Sequence, residues 1–245
     1  MGGGHHLGGD VEVVAAGDSP VHRLDPRAKI VGLIGLVVVS VSLPPGAWLA
    51  FAALAAILVG LVAVARLRPR HVIGRMTIEV PFLLAAAILP FTVEDGVVLG
   101  ATVGIKITIG VLGMVILSST TPFPRLLRGF ELLKTPRLIV VIVAFMWRYL
   151  HVLGDEVSNM QTARAARGYS ARFFWQAAAS TGSLVATLFV RSLERGERVY
   201  HAMLSRGYTG NMPVMAVDRL ALRSADVSFL AALAVGLILV RVLLP

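Results

Sequence analysis

The sequence of 245 residues contains no cysteine, which excludes disulfides, iron–sulfur clusters and cysteine zinc sites. Charge is also scarce, at 15% of residues against roughly 25% in soluble domains. Acidic side chains are the rarer sign, 14 against 23 Lys and Arg, for a formal net charge of +9. No Gly-x-x-x-x-Gly-Lys-Ser/Thr phosphate loop is present. Gly104-Ile-Lys106 lies inside an apolar run, where no phosphate could be cradled. The opening Met1-Gly-Gly-Gly-His5-His6 lacks a basic n-region and the first apolar run starts near Ala28, so no cleaved signal peptide is expected. Residues 1 to about 20 read as a flexible tail.

What remains is apolar: 56% of residues are hydrophobic, with a mean hydropathy of +0.79. One soluble core cannot hide that surplus, and a membrane-spanning helix needs about 20 such residues because its backbone must satisfy itself without water. Five segments qualify or nearly so: Ala28 to Leu43, Gly46 to Ala65, Ile78 to Val93, Val97 to Leu117 and Val227 to Leu244. The expected fold class is therefore all-α, a polytopic membrane protein with about five transmembrane helices and a cytoplasmic helical insertion. Residues 21–118 form the four-helix membrane bundle, 119–223 the insertion and 224–245 a last transmembrane helix.

Cations cluster between the apolar runs rather than along one face, which argues for lipid and against nucleic acid as the surrounding partner. Arg23, Arg27 and Lys29 precede the first span; Pro44-Pro45-Gly46 follows it without charge. Arg66, Arg68, Arg70, His71 and Arg75 follow the second span, and only Glu94 and Asp95 follow the third. Arg125, Arg128, Lys134 and Arg137 follow the fourth. This alternation predicts a cytoplasmic N-terminus, a cytoplasmic 119–223 region and an external C-terminus in the cell inner membrane. Within 119–223, charges interrupt the apolar patches Leu138 to Met146 and Leu184 to Val190 before they reach spanning length, so amphipathic helices are expected there.

That region holds an internal repeat. Glu156 to Ser170 is echoed by Glu194 to Thr209, both ending Arg-Gly-Tyr-Ser/Thr, with Arg167 and Arg206 separated by 39 positions. Gly168 and Gly207 fit the left-handed position that closes a helix, and the preceding arginine sits at the negative end of the helix dipole. In the first copy Glu156, Met160, Arg164 and Arg167 share a face. In the second, Glu194, Arg198, His201 and Ser205 line a polar face and Leu193, Tyr200, Met203 and Leu204 an apolar one. Glu194 precedes Arg198 by four, a favourable local pair. Arginine suits a docking tip because its planar fork holds a carboxylate with two hydrogen bonds.

Ala166-Arg167-Gly168 and Ser205-Arg206-Gly207, with His22-Arg-Leu-Asp25-Pro26-Arg27-Ala-Lys29, resemble the T component of energy-coupling-factor transporters. Met146-Trp-Arg148-Tyr149 and the string Arg191 to Gly210 resemble its cobalt/nickel, CbiQ-like subgroup. Ser205 departs from the alanine usual there. The resemblance implies a non-catalytic subunit of an ATP-driven importer of cobalt or nickel ions. Ala166, Arg167, Gly168, Ser205, Arg206 and Gly207 would couple to two ATPase subunits, and Glu156, Met160, Arg164, Glu194, Arg198 and Met203 would support the coupling helices. ATP and Mg would be bound by those partners, the chain itself carrying no cofactor, and a membrane partner would bind substrate. A vitamin-type T component shares the paired Arg-Gly ends, so that cargo stays open. An intramembrane enzyme is the reading from another class; it needs a nucleophile with a base, or metal ligands, at membrane depth, and Glu79 stands alone near a boundary.

Three further features carry expectations. Lys106 falls near the middle of the fourth span, where it either contacts a partner subunit or a buried carboxylate, or snorkels from a tilted helix. Gly100-Ala-Thr-Val-Gly104 has the spacing that permits close helix packing. Asp25-Pro26 reads as an N-cap and first-turn proline. His5 and His6 supply too few ligands for a defined metal site, and none is expected.

Overall fold

The computed structural model describes residues 19–91, 94–168, 173–208 and 224–243, and every regular element among them is helical. In chain order they are α1 (Pro26–Ser42), α2 (Trp48–Val64), α3 (Pro69–Met76), α4 (Val80–Ala86), α5 (Gly96–Thr120), α6 (Phe123–Leu132), α7 (Arg137–Ala166), α8 (Phe174–Ser205) and α9 (Ser224–Leu243), with single 3-10 turns at Thr77–Glu79 and Leu89–Phe91. His5 and His6 lie outside the described residues. The chain divides into two compact units, one running to Lys134 and resuming at Val217, the other Thr135–Ala216. The all-α, multi-pass membrane architecture expected from the sequence is what the helices form.

Segment boundaries differ from the expected ones in two places. The third crossing is not Ile78 to Val93: the helical stretch starts at Pro69, which takes the first helical position of α3 as a proline without a donor can, and continues to Phe91. Pro81 falls in the first turn of α4 and Pro90 in the 3-10 turn Leu89–Phe91, while the break between α3 and the first 3-10 turn carries no proline. Arg137–Ala166 is also long and apolar enough to cross a membrane, as are Pro69–Phe91, Gly96–Thr120 and Ser224–Val242, while Trp48–Val64 is a shorter apolar helix. The expectation that nothing between 119 and 223 reaches spanning length is thus corrected for α7. Its two interrupting arginines, Arg137 and Arg148, are too few to break the apolar run.

In the first unit α1 packs against α5, α6 and α9, and α5 also packs against α2, α3 and α4. The core draws Leu36 from α1, Phe51, Leu54 and Leu58 from α2, Ile109 and Ile116 from α5, and Leu233, Leu237 and Val240 from α9. The glycine spacing on α5 is used at one of its two positions. A side chain at Gly100 would come within 2.7 Å of the Ala86 carbonyl oxygen, so that position lets α4 approach closely, whereas one at Gly104 would make only ordinary contact with Leu83 at 3.5 Å. α6 packs on α1 through Gly129, where a Cβ would lie 2.9 Å from Pro26. The compact unit therefore runs on through α6, beyond the boundary expected at 118.

The termini of α1 are held by polar groups from distant segments. Asp25 caps the N-terminus, accepting from the Arg27 amide at 2.8 Å, with Pro26 in the first turn as expected. The amide of Asp25 donates to Asp226 Oδ1 at 2.7 Å, tying the start of α9 to the start of α1. Among the described residues, Lys106 is engaged by backbone carbonyls and no carboxylate pairs with it. Its Nζ donates to the carbonyls of Val41 at 3.0 Å and Leu43 at 2.8 Å, the last turn of α1, beside the Phe51 ring. Lys29 of α1 returns the favour at the other end, donating to the Thr120 carbonyl at 3.0 Å and Thr121 Oγ1 at 2.8 Å. Two antiparallel helices thus each cap the other's C-terminus with a lysine, satisfying carbonyls that have no partner within their own helix.

Candidate functional site

The repeated helix ends lie in the second unit, at the C-termini of α7 and α8. α7 stops because Arg167 leaves helical geometry and Gly168 takes φ +72°, with its amide donating back to Ala165 at 3.0 Å. α8 stops the same way: Gly207 takes φ +81°, its amide donates to Leu204 at 3.0 Å, and the Tyr208 amide donates to Met203 at 3.0 Å. The second end is a complete Schellman closure. In both, glycine is required by the positive φ, not by crowding, since a Cβ at either position would meet nothing within 4 Å. Ala166, Arg167 and Gly168 are exposed, and so are Ser205, Arg206 and Gly207.

Between these ends, side chains fix the pairing of α7 with α8. Arg164 donates to the Ser180 carbonyl and, at 3.1 Å, to Ser183 Oγ. Glu156 accepts from Arg191 and pairs with Arg195 at 3.6 Å. Moving back along α7 from Arg164 to Glu156 moves forward along α8, so the helices run antiparallel. The two arginine tips therefore point to opposite ends of the pair and are not brought together. On α8 the Glu194–Arg198 pair closes at 3.8 Å, as its four-residue spacing predicts.

The predicted support residues divide accordingly. Glu156, Met160 and Arg164 are half-buried along one face of α7, and Met203 is half-buried on α8. Glu194 and Arg198 are exposed. The apolar face expected on the second repeat is mostly open, with Leu193, Tyr200 and Leu204 all exposed. Sequence reasoning missed Arg191 and Arg195, the partners of Glu156. A signal was there: with the two Arg-Gly ends superposed, Glu156 and Arg195 occupy equivalent positions with opposite charge. Elsewhere, Glu79 is buried in its 3-10 turn, and among the described residues no group of three His, Asp or Glu gathers around it or anywhere else.

Comparison with known proteins bears on the same residues. The family model of CbiQ, cobalt transport protein, matches residues 17–215, which contain both helix ends and the pairing between them. The chain belongs to this family. A cobalt transport protein CbiQ of Rhodobacter capsulatus is 32% identical over 101 residues, 41% of each chain. An uncharacterized protein of Methanocaldococcus jannaschii is 33% identical over 122 residues, 50% of this chain and 45% of that one. The chain thus spans under half the length of these two relatives. The energy-coupling factor transporter transmembrane protein EcfT of Thermosediminibacter oceani is 26% identical over 251 residues, covering 92% of this chain and 95% of the relative. Membership therefore places the chain in a cobalt transport family, and two of these three relatives carry the names of transport proteins.

Proposed function

We propose that this chain is the coupling subunit of an ATP-driven importer, carrying motion from ATP-hydrolysing partner subunits to a substrate-binding membrane partner through Arg167 and Arg206. The observation that carries the reading is the duplicated helix end: an exposed arginine at the cap, then a left-handed glycine, at both ends of an antiparallel pair. A closed cap fixes where the guanidinium begins, and its planar fork can take a carboxylate or backbone acceptors on a partner bidentately. Two tips pointing apart suit two receiving sites, hence two ATPase subunits or a dimer. ATP and Mg belong to those partners, and the chain does no chemistry of its own.

The reading keeps α7 on the cytoplasmic side although it is apolar enough to cross. A crossing α7 would leave Arg164 and Arg167 on the opposite side from the Arg125 to Arg137 cluster, whereas a cytoplasmic α7 keeps all of these cations on one side, with the N-terminus. The C-terminus then lies outside. Cobalt or nickel ions are the proposed cargo, supported by the family description and the CbiQ relative. Relatives matching nearly the whole chain carry the broader EcfT name, which specifies no cargo, so a vitamin-type T component stands as the second reading.

The test is the double variant Arg167→Ala, Arg206→Ala. Uptake should vanish, with membrane insertion intact and a partner ATPase no longer retained on affinity purification in mild detergent. Unchanged uptake refutes the coupling role, labelling of either arginine position from outside refutes the orientation, and vitamin uptake without metal dependence rejects the cargo.

A further inference from the structure

The contact between Glu156 and Arg195 has a special place in the duplicated segment. Glu156 lies eleven residues before Arg167, and Arg195 lies eleven residues before Arg206. Equivalent positions of the two repeats thus meet each other, so the two arms leave this contact with the same number of residues to their arginines. Along antiparallel helices rising 1.5 Å per residue, each arm from this contact to its arginine is about 16 Å long, and the two tips stand roughly 30–35 Å apart.

Glu156 is suited to hold that crossing point. It carries one carboxylate with two acceptor oxygens; Oε1 takes Arg191 and Oε2 faces Arg195 at 3.6 Å. Two arginines one turn apart on α8 grip it from both sides, so neither sliding by a turn nor rotation of α8 preserves both contacts. The first arm has a second anchor, Arg164 on Ser180 and Ser183, three residues from its tip. Beyond Arg195 the second arm continues through the exposed Glu197, Arg198, Tyr200 and Leu204.

We propose that Glu156, gripped by Arg191 and Arg195, is a positioning residue that sets the separation of the two arginine tips and therefore the spacing of the partner sites they reach. The proposal rests on the coupling role proposed above, and goes beyond it by naming what fixes the geometry of the arms. It assigns Glu156 no contact with a partner and no part in docking itself.

Because the chain lacks cysteine, Ala163→Cys with Ala202→Cys, equivalent exposed positions on the two arms, accepts two spin labels without further changes. Their separation, about 20–30 Å from the helical rise, is measurable by double electron–electron resonance on the full chain. Glu156→Ala should broaden that distribution about twofold. The charge exchange Glu156→Arg, Arg191→Glu, Arg195→Glu should narrow it again, which a merely space-filling role would not produce. In unlabelled protein, Glu156→Ala should lower uptake by about tenfold, within the range seen for residues along a coupling path, while the partner ATPase still copurifies. An unchanged distribution in Glu156→Ala overturns the proposal, and so does a broadened one with full uptake. Failure of the coupling role itself appears separately, as full uptake in Arg167→Ala, Arg206→Ala, whatever the spin labels report.

Discussion

In the first unit, buried apolar side chains from α1, α2, α5 and α9 form one cluster, with Leu54 and Ala50 wholly inaccessible. In Thr135–Ala216 the buried apolar side chains among the described residues are Val140, Val141 and Leu184, and the contacts that fix α7 on α8 are made by Glu156, Arg164, Arg191 and Arg195. The bundle is specified by shape, through glycines that admit a neighbour's backbone and side chains that fill the space between helices. The helix pair is specified by charge. Ion pairs that water reaches contribute only about 0–1 kcal/mol each, so this pair is pinned in register while remaining easy to adjust. The coupling role proposed above calls for both properties, in different places.

The widest separation between the units should appear in truncation. Leu54→Ala removes three carbons from a site with no access to solvent and should lower stability by about 2–5 kcal/mol. Leu193→Ala, on the helix pair at 56% exposure, should change stability by less than about 0.5 kcal/mol. Denaturation midpoints in the same detergent compare them directly. Equal losses would mean that Leu193 is covered within the chain, and the contrast drawn above would fail.

Next in size are the two lysines. Lys106→Met leaves the Val41 and Leu43 carbonyls at the end of α1 without their donor, and Lys29→Met does the same to Thr120 at the end of α5. Each should lower stability by about 1–3 kcal/mol, the penalty for an unsatisfied buried acceptor. Glu194→Ala, which removes an exposed pair on α8, should stay near zero. A Lys106→Met protein as stable as the parent would show that those carbonyls find another donor, and that the lysine is held for a partner after all.

Apolar length announced the membrane helices, and the alternation of cations around them supplied an orientation to test. The cap at Asp25, the close approach at Gly100 and the Glu194–Arg198 pair were equally legible, because each depends on residues a few positions apart. What escaped were pairings across the chain. Lys106 meets Val41 and Leu43 over more than sixty positions, and no local pattern points a lysine at a backbone carbonyl. Arg191 and Arg195 were visible as residues, but their partner on α7 became evident only once the two helices were laid side by side. The start of the third crossing at Pro69 was hidden because Arg70, His71 and Arg75 read as a loop, although arginine is a good helix former.

The smallest effect should come from the helix ends, where conformation and docking can be separated. Gly207 holds φ +81° with no atom near enough to obstruct a side chain, so Gly207→Ala is opposed by backbone strain alone, about 1–2 kcal/mol locally. Gly207→Asn should lose less, since asparagine tolerates the left-handed region. Because this strain falls on the last turn of α8, it should appear as faster amide exchange at Gly207 and Tyr208, the donors of the closure, and not as a lower midpoint for the bundle. If the tip works by presenting Arg206 from a closed cap, uptake should rank parent, then Asn, then Ala, following the exchange rates. Should Gly207→Ala loosen the cap yet transport as well as the parent, the arginine would not need its helix end closed, and presentation by a fixed tip would be the wrong account of what the repeat is for.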